Sequence, residues 1–395
     1  MNKEQIIFLK SKTSDHDENV KHDTDKFIEE MDLDSIPFDK QLFFIESGGT
    51  EEIFKEIYKN YKTPYVVLAT NANNSLPAAL EIVSFLRMNN LDYYLIHGKS
   101  NEVKEQLINL KKYPIFNYEL KQYNKFFSGL KVGVIGKPSD WLISSNVNYD
   151  KAYDIFGVKI INITFDEFLR TVNENINNVD ASLFKDRFNE KIDESEIRKA
   201  LVIYKALKII AKRYNLSGLT VRCFDLLNTY HSTSCLALSL LNDEGIISAC
   251  EGDVPSLLTM LFVKKVLNRL SFQCNPSYID RKDNIIYLAH CTIPLKLCKS
   301  YTFDTHFESG LGVGIHGEVK DRQDVCILKF DSSLSRFALY SGRIVENMYK
   351  NNLCRTQIKV RLREPVNDIL SSPCGNHLIV FHYDDKDKII KLLSN

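Results

Sequence analysis

QLFFIESGGTEEIFKEIYKNY, residues 41–61, decides how the first half of the chain is read. The apolar run QLFFIE is too short for a helix and stops at Ser47, Gly48, Gly49 and Thr50. The residues after it have helical spacing, with acids in the first turn. Strand, tight turn, helix is the predicted order. The same grammar recurs at PYVVLA (64–69), followed by TNANNSLPAALEIVSFLRMNN, in which Ser75 is placed to cap and Pro77 sits near the first turn. It recurs at 93–96, and again at KVGVI (131–135) followed by GKPSDWLISS. Strands separated by helices predict a parallel, doubly wound sheet with helices on both faces.

Working outward, residues 15–34 are dense in acid and predict a solvated arm or surface helix, so 1–40 is set apart as an acidic arm. Residues 112–130, with Pro114, are predicted as a crossover between two α/β units. A long helix is expected over 194–214, where Ile197, Leu201, Tyr204, Leu207 and Ala211 recur at three- and four-residue spacing. Another follows at 255–270, after the tight segment CEGD. Beyond about residue 296 short alternating runs replace helical periodicity, predicting an antiparallel β domain, a barrel or sandwich. The expected domains are 1–125, 126–295 and 296–395.

The 395 residues carry 51 basic and 51 acidic side chains, which argues against a polyanion groove as the partner surface. Nine cysteines, an odd number without a CxxC pair and all beyond residue 222, fit neither a disulfide framework nor a zinc knuckle. No apolar stretch reaches membrane-spanning length, and residues 1–20 lack a signal-peptide pattern. A soluble cytoplasmic protein with reduced thiols is expected, without nucleic-acid or membrane partners.

Two carboxylate-bearing strand ends stand out. Arg222, Cys223, Phe224 and Asp225 close one strand, and Cys250, Glu251, Gly252 and Asp253 close GIISACEGD. Clustered carboxylates need a cation or a shared proton, although Asp253 equally suits the N-cap of the next helix. His290 ends NIIYLAHC, His306 and Glu308 lie in THFESG, and His377 follows Gly375 and Asn376. His16, His22 and His97 have no context that assigns a role. Carboxylates with one imidazole suit Mn or Mg better than zinc. The turn GVIGKPS follows a strand as a phosphate-binding turn would, but it is not GxGxxG, and Pro138 removes a donor.

Taken together, GGTEEIF (48–54), LATNANNSLPAALEIVSFLR (68–87), GVIGKPSDWLISS (133–145), LSLLNDEGIISACEGDVPSLLTM (238–260), LAHCTIPL (288–295), HFESGLGVGIHG (306–317) and GNH (375–377) resemble the fucose isomerase-like family, the relatives of L-fucose and L-arabinose isomerases. The resemblance implies two Rossmann-like α/β domains, a β-rich C-terminal domain and a homo-oligomer. It also implies an aldose–ketose isomerase acting on a hexose or modified hexose, with a divalent metal, usually Mn, on two acids and a histidine. Asp253 and His377 match two of those ligands. Where the family carries a Cys-Trp-Pro-Glu-like segment, this chain has Cys223, Phe224, Asp225 and Leu226, so Asp225 stands one position early and one methylene short. Asp225 or Glu251 would take the C2 proton, and the metal on Asp253 and His377, with Asp225 as the other acid, would hold the oxygens. Asn71, Asn73, Ser139, Trp141, His290 and His306 would line the sugar pocket. A non-catalytic sugar-binding member of the family and an NAD-linked oxidoreductase are the alternatives.

Overall fold

In the first sheet, alternate residues of each strand enter two different cores. The computed structural model describes residues 1–11, 17–112, 117–121, 125–176 and 179–394; His16 and Pro114 lie outside them. Strands β1 (Ile6–Leu9), β2 (Leu42–Ile45), β3 (Tyr65–Ala69) and β4 (Tyr93–His97) are parallel. Leu42, Phe44, Val66 and Leu68 pack with Met31, Val103 and Leu107, whereas Phe43, Ile45, Val67 and Ala69 pack with Phe54 and Leu76. Helices Asp17–Met31 and Ser100–Ile108 therefore cover one face, and Glu51–Ile57 and Ser75–Met88 the other. Burial on both faces is why these strands read as unbroken apolar runs. Helices lie on both faces, as expected, and the strand order β1-β2-β3-β4 is sequential. Ile6–Leu9, read as part of the acidic arm, is the edge strand of this sheet, and the acidic stretch is a helix that buries Val20 and Met31.

After the two-residue strand β5 (Tyr118–Glu119), a second parallel sheet forms from β6 (Lys131–Ile135), β7 (Lys159–Ile163), β8 (Gly218–Val221) and β9 (Ile247–Ala249). Its order is β7-β6-β8-β9. The chain steps out from β6 to β7 and returns past β6 to β8, which makes a switch point, the place where open α/β sheets build ligand sites. The long helix Glu194–Tyr214 covers this sheet, capped by Asp193, whose side chain accepts from Ser195 and Glu196 N–H. GKPSDWLISS is not the helix its place after β6 predicted. Its amides are committed elsewhere, Ser139 N to Glu251 O, Leu142 N to Ser139 O and Ser144 N to the Glu81 carboxylate, and the next helix starts at Tyr149.

The antiparallel part is a closed six-stranded barrel. Strands β10 (Ser271–Asp280) and β11 (Ile285–His290) begin it, the hairpin β12 (Cys298–Asp304) and β13 (Gly314–Val319) stands beside it, and β14 (Asp324–Phe330), β15 (Arg336–Asn347), β16 (Thr356–Leu362) and β17 (Leu378–His382) complete it. The order β14-β17-β10-β11-β16-β15 closes through β14–β15, and β5 extends β15. The barrel's own antiparallel pairing starts at Ser271, ahead of residue 296 where the pattern change was expected. Pro276 interrupts the run SFQCNPSYID, and the structure accommodates it at a register shift between Pro276 and Tyr278.

Candidate active site

Glu251 is delivered by a backbone turn that few side chains tolerate. Past the end of β9, Glu251 (φ 64°) and Gly252 (φ 74°) both adopt the left-handed conformation. Gly252 N–H donates to Val221 O (3.0 Å), and Ser139 N–H donates to Glu251 O (2.9 Å), which ties the turn to the carboxyl ends of β8 and β6. A Cβ on residue 252 would lie 2.6 Å from Pro138 Cα and 2.7 Å from Lys137 O, so only glycine fits. A left-handed glutamate is strained backbone of the kind that functional sites retain. Trp141 Nε1–H donates to Glu251 Oε2 (2.8 Å), and Phe224 meets the Trp141 ring edge-on at 4.7 Å.

Asp253, two residues on, caps the helix Val254–Lys265. Its Oδ1 accepts from Ser256 N–H (2.7 Å) and its Oδ2 from Ser256 Oγ–H (2.7 Å). The same carboxylate receives Lys329 Nζ of β14 at 3.1 and 2.9 Å, and His377 Nδ1 at 2.8 Å on Oδ2. Asp253, Lys329 and His377 are all fully buried. Burial opposes the charged carboxylate of Asp253, but Lys329 and His377 outweigh it and hold the group well below the usual carboxylate range. His377 turns Nε2 toward Glu251 Oε1 at 3.5 Å, and that nitrogen has no hydrogen-bond partner. Burial works against its imidazolium, yet the Glu251 and Asp253 carboxylates raise it to about 9. Burial likewise opposes ionised Glu251, while His377, His290 and Trp141 lower it.

Glu251 faces a cavity that lies between the two parallel sheets and the barrel. Glu51, Asn73, Asn74 and Trp141 line it from the α/β side, and Asn275, Glu308 and Asn376 from the barrel side. A deeper chamber, sharing Asn74, Phe224, Glu251, Asn275 and Glu308, is bounded by His290, His306 and several cysteines. Asn74, Asn275 and Asn376 each leave a buried Oδ1 without a partner. Orphaned amide oxygens around a cavity suit the hydroxyls of a polyol. Desolvation raises Glu308 to about 7, against the hydrogen bond from Asn74. Burial also pushes Glu51 well above its ordinary value. His290 is neutral at physiological pH, since burial and then the nearby His377 lower it to about 3; its Nδ1 pairs with Thr292 Oγ1 at 2.9 Å. Among the described residues lining both chambers there is no lysine or arginine.

Of the residues expected from sequence, Glu251, Asp253 and His377 meet in one network, and Trp141, Asn73, His290 and His306 line the chambers. Asp225 does not join them. Arg222 Nε donates to both of its oxygens at 2.9 Å, and the same guanidinium holds Asp140 and Pro138 O, so Asp225 starts a short helix as half of a surface clamp. Ser139 supports Glu251 through its amide rather than lining the cavity, and Asn71 yields its expected place to Asn74. In the GVIGKPS turn, the Ser139 amide is spent on Glu251 O and Pro138 O accepts from Arg222. Sequence reasoning missed Glu51, Asn275, Asn376 and Lys329. Glu81 is missed too: buried in the helix Ser75–Met88, it accepts from Ser144 N–H, Ser145 Oγ–H and Asn376 N–H. The available signal is a single charge inside an apolar run, VCILKF for Lys329 and LPAALEIVSFL for Glu81.

A divalent ion on Asp253 and His377 does not fit this arrangement. Two carboxylate oxygens offer about four lone-pair sites, and Lys329, Ser256 N–H, Ser256 Oγ–H and His377 Nδ1 occupy them. The donors that do converge among the described residues are Cys250, Glu251 and His290, whose ligand atoms lie within 4.8 Å of one another. That set contains a thiol, 3.1 Å from Cys223 Sγ, and is too soft for Mn or Mg.

No protein-family model matches the chain. It is 25% identical over 290 residues to a sulfoquinovose isomerase of Alkalicoccus urumqiensis, covering 68% of this chain and 62% of that protein. It is 31% identical over 116 residues to a sulfoquinovose isomerase of Clostridium sp. (strain MSTE9), covering 29% and 24%. A sulfoquinovose isomerase of Priestia megaterium is 21% identical over 277 residues, covering 66% and 61%. The chain thus spans less than two thirds of the length of each of these relatives. Among the described residues no helix is long and apolar enough to cross a membrane.

Proposed function

We propose that the chain is an aldose–ketose isomerase in which Glu251 moves a proton between C2 and C1 of an open-chain sugar. The observation that carries this reading is the placement of the Glu251 carboxylate. It enters an amide-lined cavity, with one oxygen on Trp141 and the other facing a histidine whose far nitrogen is fixed by buried Asp253. Proton transfer between adjacent carbons needs a base held beside the carbon, an acid beside the C1 oxygen and a proton acceptor beside the C2 hydroxyl. Glu251 takes the C2 proton of the aldose while an acid protonates the C1 carbonyl oxygen. Removing the O2 proton and returning the carbon-bound proton to C1 completes the ketose. Glu308, which lines both chambers, is the group assigned to move a proton between the two oxygens, while His377, buried behind Glu251, orients that carboxylate. Two glutamates with protonation equilibria pushed in opposite directions, Glu251 down and Glu308 up to about 7, suit a base and an acid sharing one cavity. The three similar proteins, each named sulfoquinovose isomerase, support a sugar isomerase.

The chamber's charge argues for an uncharged sugar. Among the described residues no lysine or arginine lines it, so a sulfonate or phosphate would be desolvated beside the ionised Glu251 with no lysine or arginine to pair with. Incubation of the full chain with a panel of neutral aldoses, followed by carbon NMR, tests the activity. A new ketose carbonyl or anomeric signal supports the reading. Binding of sugars without conversion of any of them rejects catalysis in favour of a sugar-binding module.

A further inference from the structure

We propose that the Lys329 ammonium is the resident cation of the Asp253–His377 pair, so that this pair binds no divalent metal and Lys329 acts as a positioning residue. Lys329 is a fully buried charge in β14, between buried Leu328 and Phe330. A lysine rarely enters such surroundings without a dedicated partner. Its three N–H donors have three acceptors: Asp253 Oδ1 at 3.1 Å, Asp253 Oδ2 at 2.9 Å and Ser256 Oγ at 2.6 Å. Ser256 hands its own hydroxyl hydrogen to Asp253 Oδ2. The cluster is closed, with Lys329 supplying the positive charge that a metal ion would bring. A divalent ion needs a free carboxylate lone pair at close range, with no second cation on the same oxygens. Neither condition holds while Lys329 stays in place. Clamped from behind, Asp253 fixes the His377 imidazole through Nδ1 and leaves Nε2 toward Glu251. The consequence for catalysis rests on the isomerase reading; the claim about metal does not.

The test is a titration of the purified full chain with Mn(II), read from the EPR signal of free aqueous Mn(II), with no activity involved. The wild type is expected to bind far less than one ion per chain. Lys329→Met, which uncovers Asp253, is expected to gain a site at least tenfold tighter, and adding Asp253→Asn to it should abolish that site. One Mn(II) bound per wild-type chain overturns the proposal, as does a folded Lys329→Met that gains nothing; Lys329→Gln serves if Lys329→Met does not fold. The positioning role is read by NMR: a slowly exchanging, low-field His377 Nδ1–H proton is expected in the wild type and lost in Lys329→Met. Its persistence there would mean that Lys329 does not hold Asp253 on the imidazole. If no aldose is converted, these readouts still stand, so the two failures are distinguishable.

Discussion

Replacing Gly252 by alanine separates backbone conformation from steric contact at the turn that presents Glu251, because the chain contains its own control. Gly245, after the helix Cys235–Glu244, has φ 88° and nothing within 4 Å of an added Cβ. Gly252 has φ 74°, but its added Cβ meets Pro138 Cα at 2.6 Å and Lys137 O at 2.7 Å. Both substitutions carry the cost of a left-handed non-glycine residue, about 1–2 kcal/mol. Both gain about 0.4–1 kcal/mol from a less flexible unfolded chain. Only Gly252→Ala adds the cost of backbone overlap, about 1–3 kcal/mol. The difference between the two variants should therefore be about 1–3 kcal/mol, measured by urea denaturation. Trp141, the single tryptophan, donates to Glu251 and reports the same event by fluorescence. Its emission should shift in folded Gly252→Ala and stay fixed in Gly245→Ala. Equal destabilisation of the two variants, or unchanged emission in both, would refute the reasoning that close backbone approach aims Glu251.

Other consequences follow from the same contacts. His97 bridges the first sheet to the barrel, with Nδ1 on Ala69 O at 3.0 Å and Nε2 accepting from Ile279 N–H at 3.1 Å; burial, then Arg281, lowers it to about 3. With the folded value below the unfolded one, the unfolded chain takes up the proton first, so this contribution is complete above about pH 6.5 and declines as pH falls toward 3. The slope approaches about 1.4 kcal/mol per pH unit, or about 2 kcal/mol by pH 5. His97→Gln should flatten the acid side of a stability–pH curve by that amount, and an unchanged slope would contradict the assignment. Glu81→Gln places an amide NH2 against donors from Ser144, Ser145 and Asn376 and should cost about 1–3 kcal/mol in urea denaturation; a neutral effect would show that the carboxylate does not pin those loops. In a thermal-shift panel, neutral aldoses should raise the melting temperature more than sulfonated or phosphorylated sugars at equal concentration, and the reverse ranking would overturn the uncharged-substrate reading.

The α/β architecture is legible because local periodicity and burial agree there. QLFFIE and PYVVLA are strands buried on both faces, and Glu194–Tyr214 carries its apolar stripe at helical spacing. Where the two disagree, the reading slips. Pro276 breaks the pattern of β10, and GKPSDWLISS follows a strand as a helix would, while its amides serve Glu251 and Glu81. At the site, glycine-flanked acids and GNH point to Glu251, Asp253 and His377 because tight turns at sheet edges carry local signatures. The roles of Lys329 and Asp225 depend on partners that no local pattern names. Lys329 meets Asp253 across 76 residues, and Asp225 is drawn to Arg222 rather than to the acids it was expected to join.

The central claim is that Glu251 exchanges a carbon-bound proton. The direct measurement is proton NMR of a neutral aldose that the chain converts, incubated with wild type and with Glu251→Gln in D2O. The wild type should place solvent deuterium on the carbon that passes its proton through the carboxylate. Glu251→Gln should lose this exchange by about 10²-fold or more while still binding the sugar. Exchange at the wild-type rate in Glu251→Gln would contradict the account.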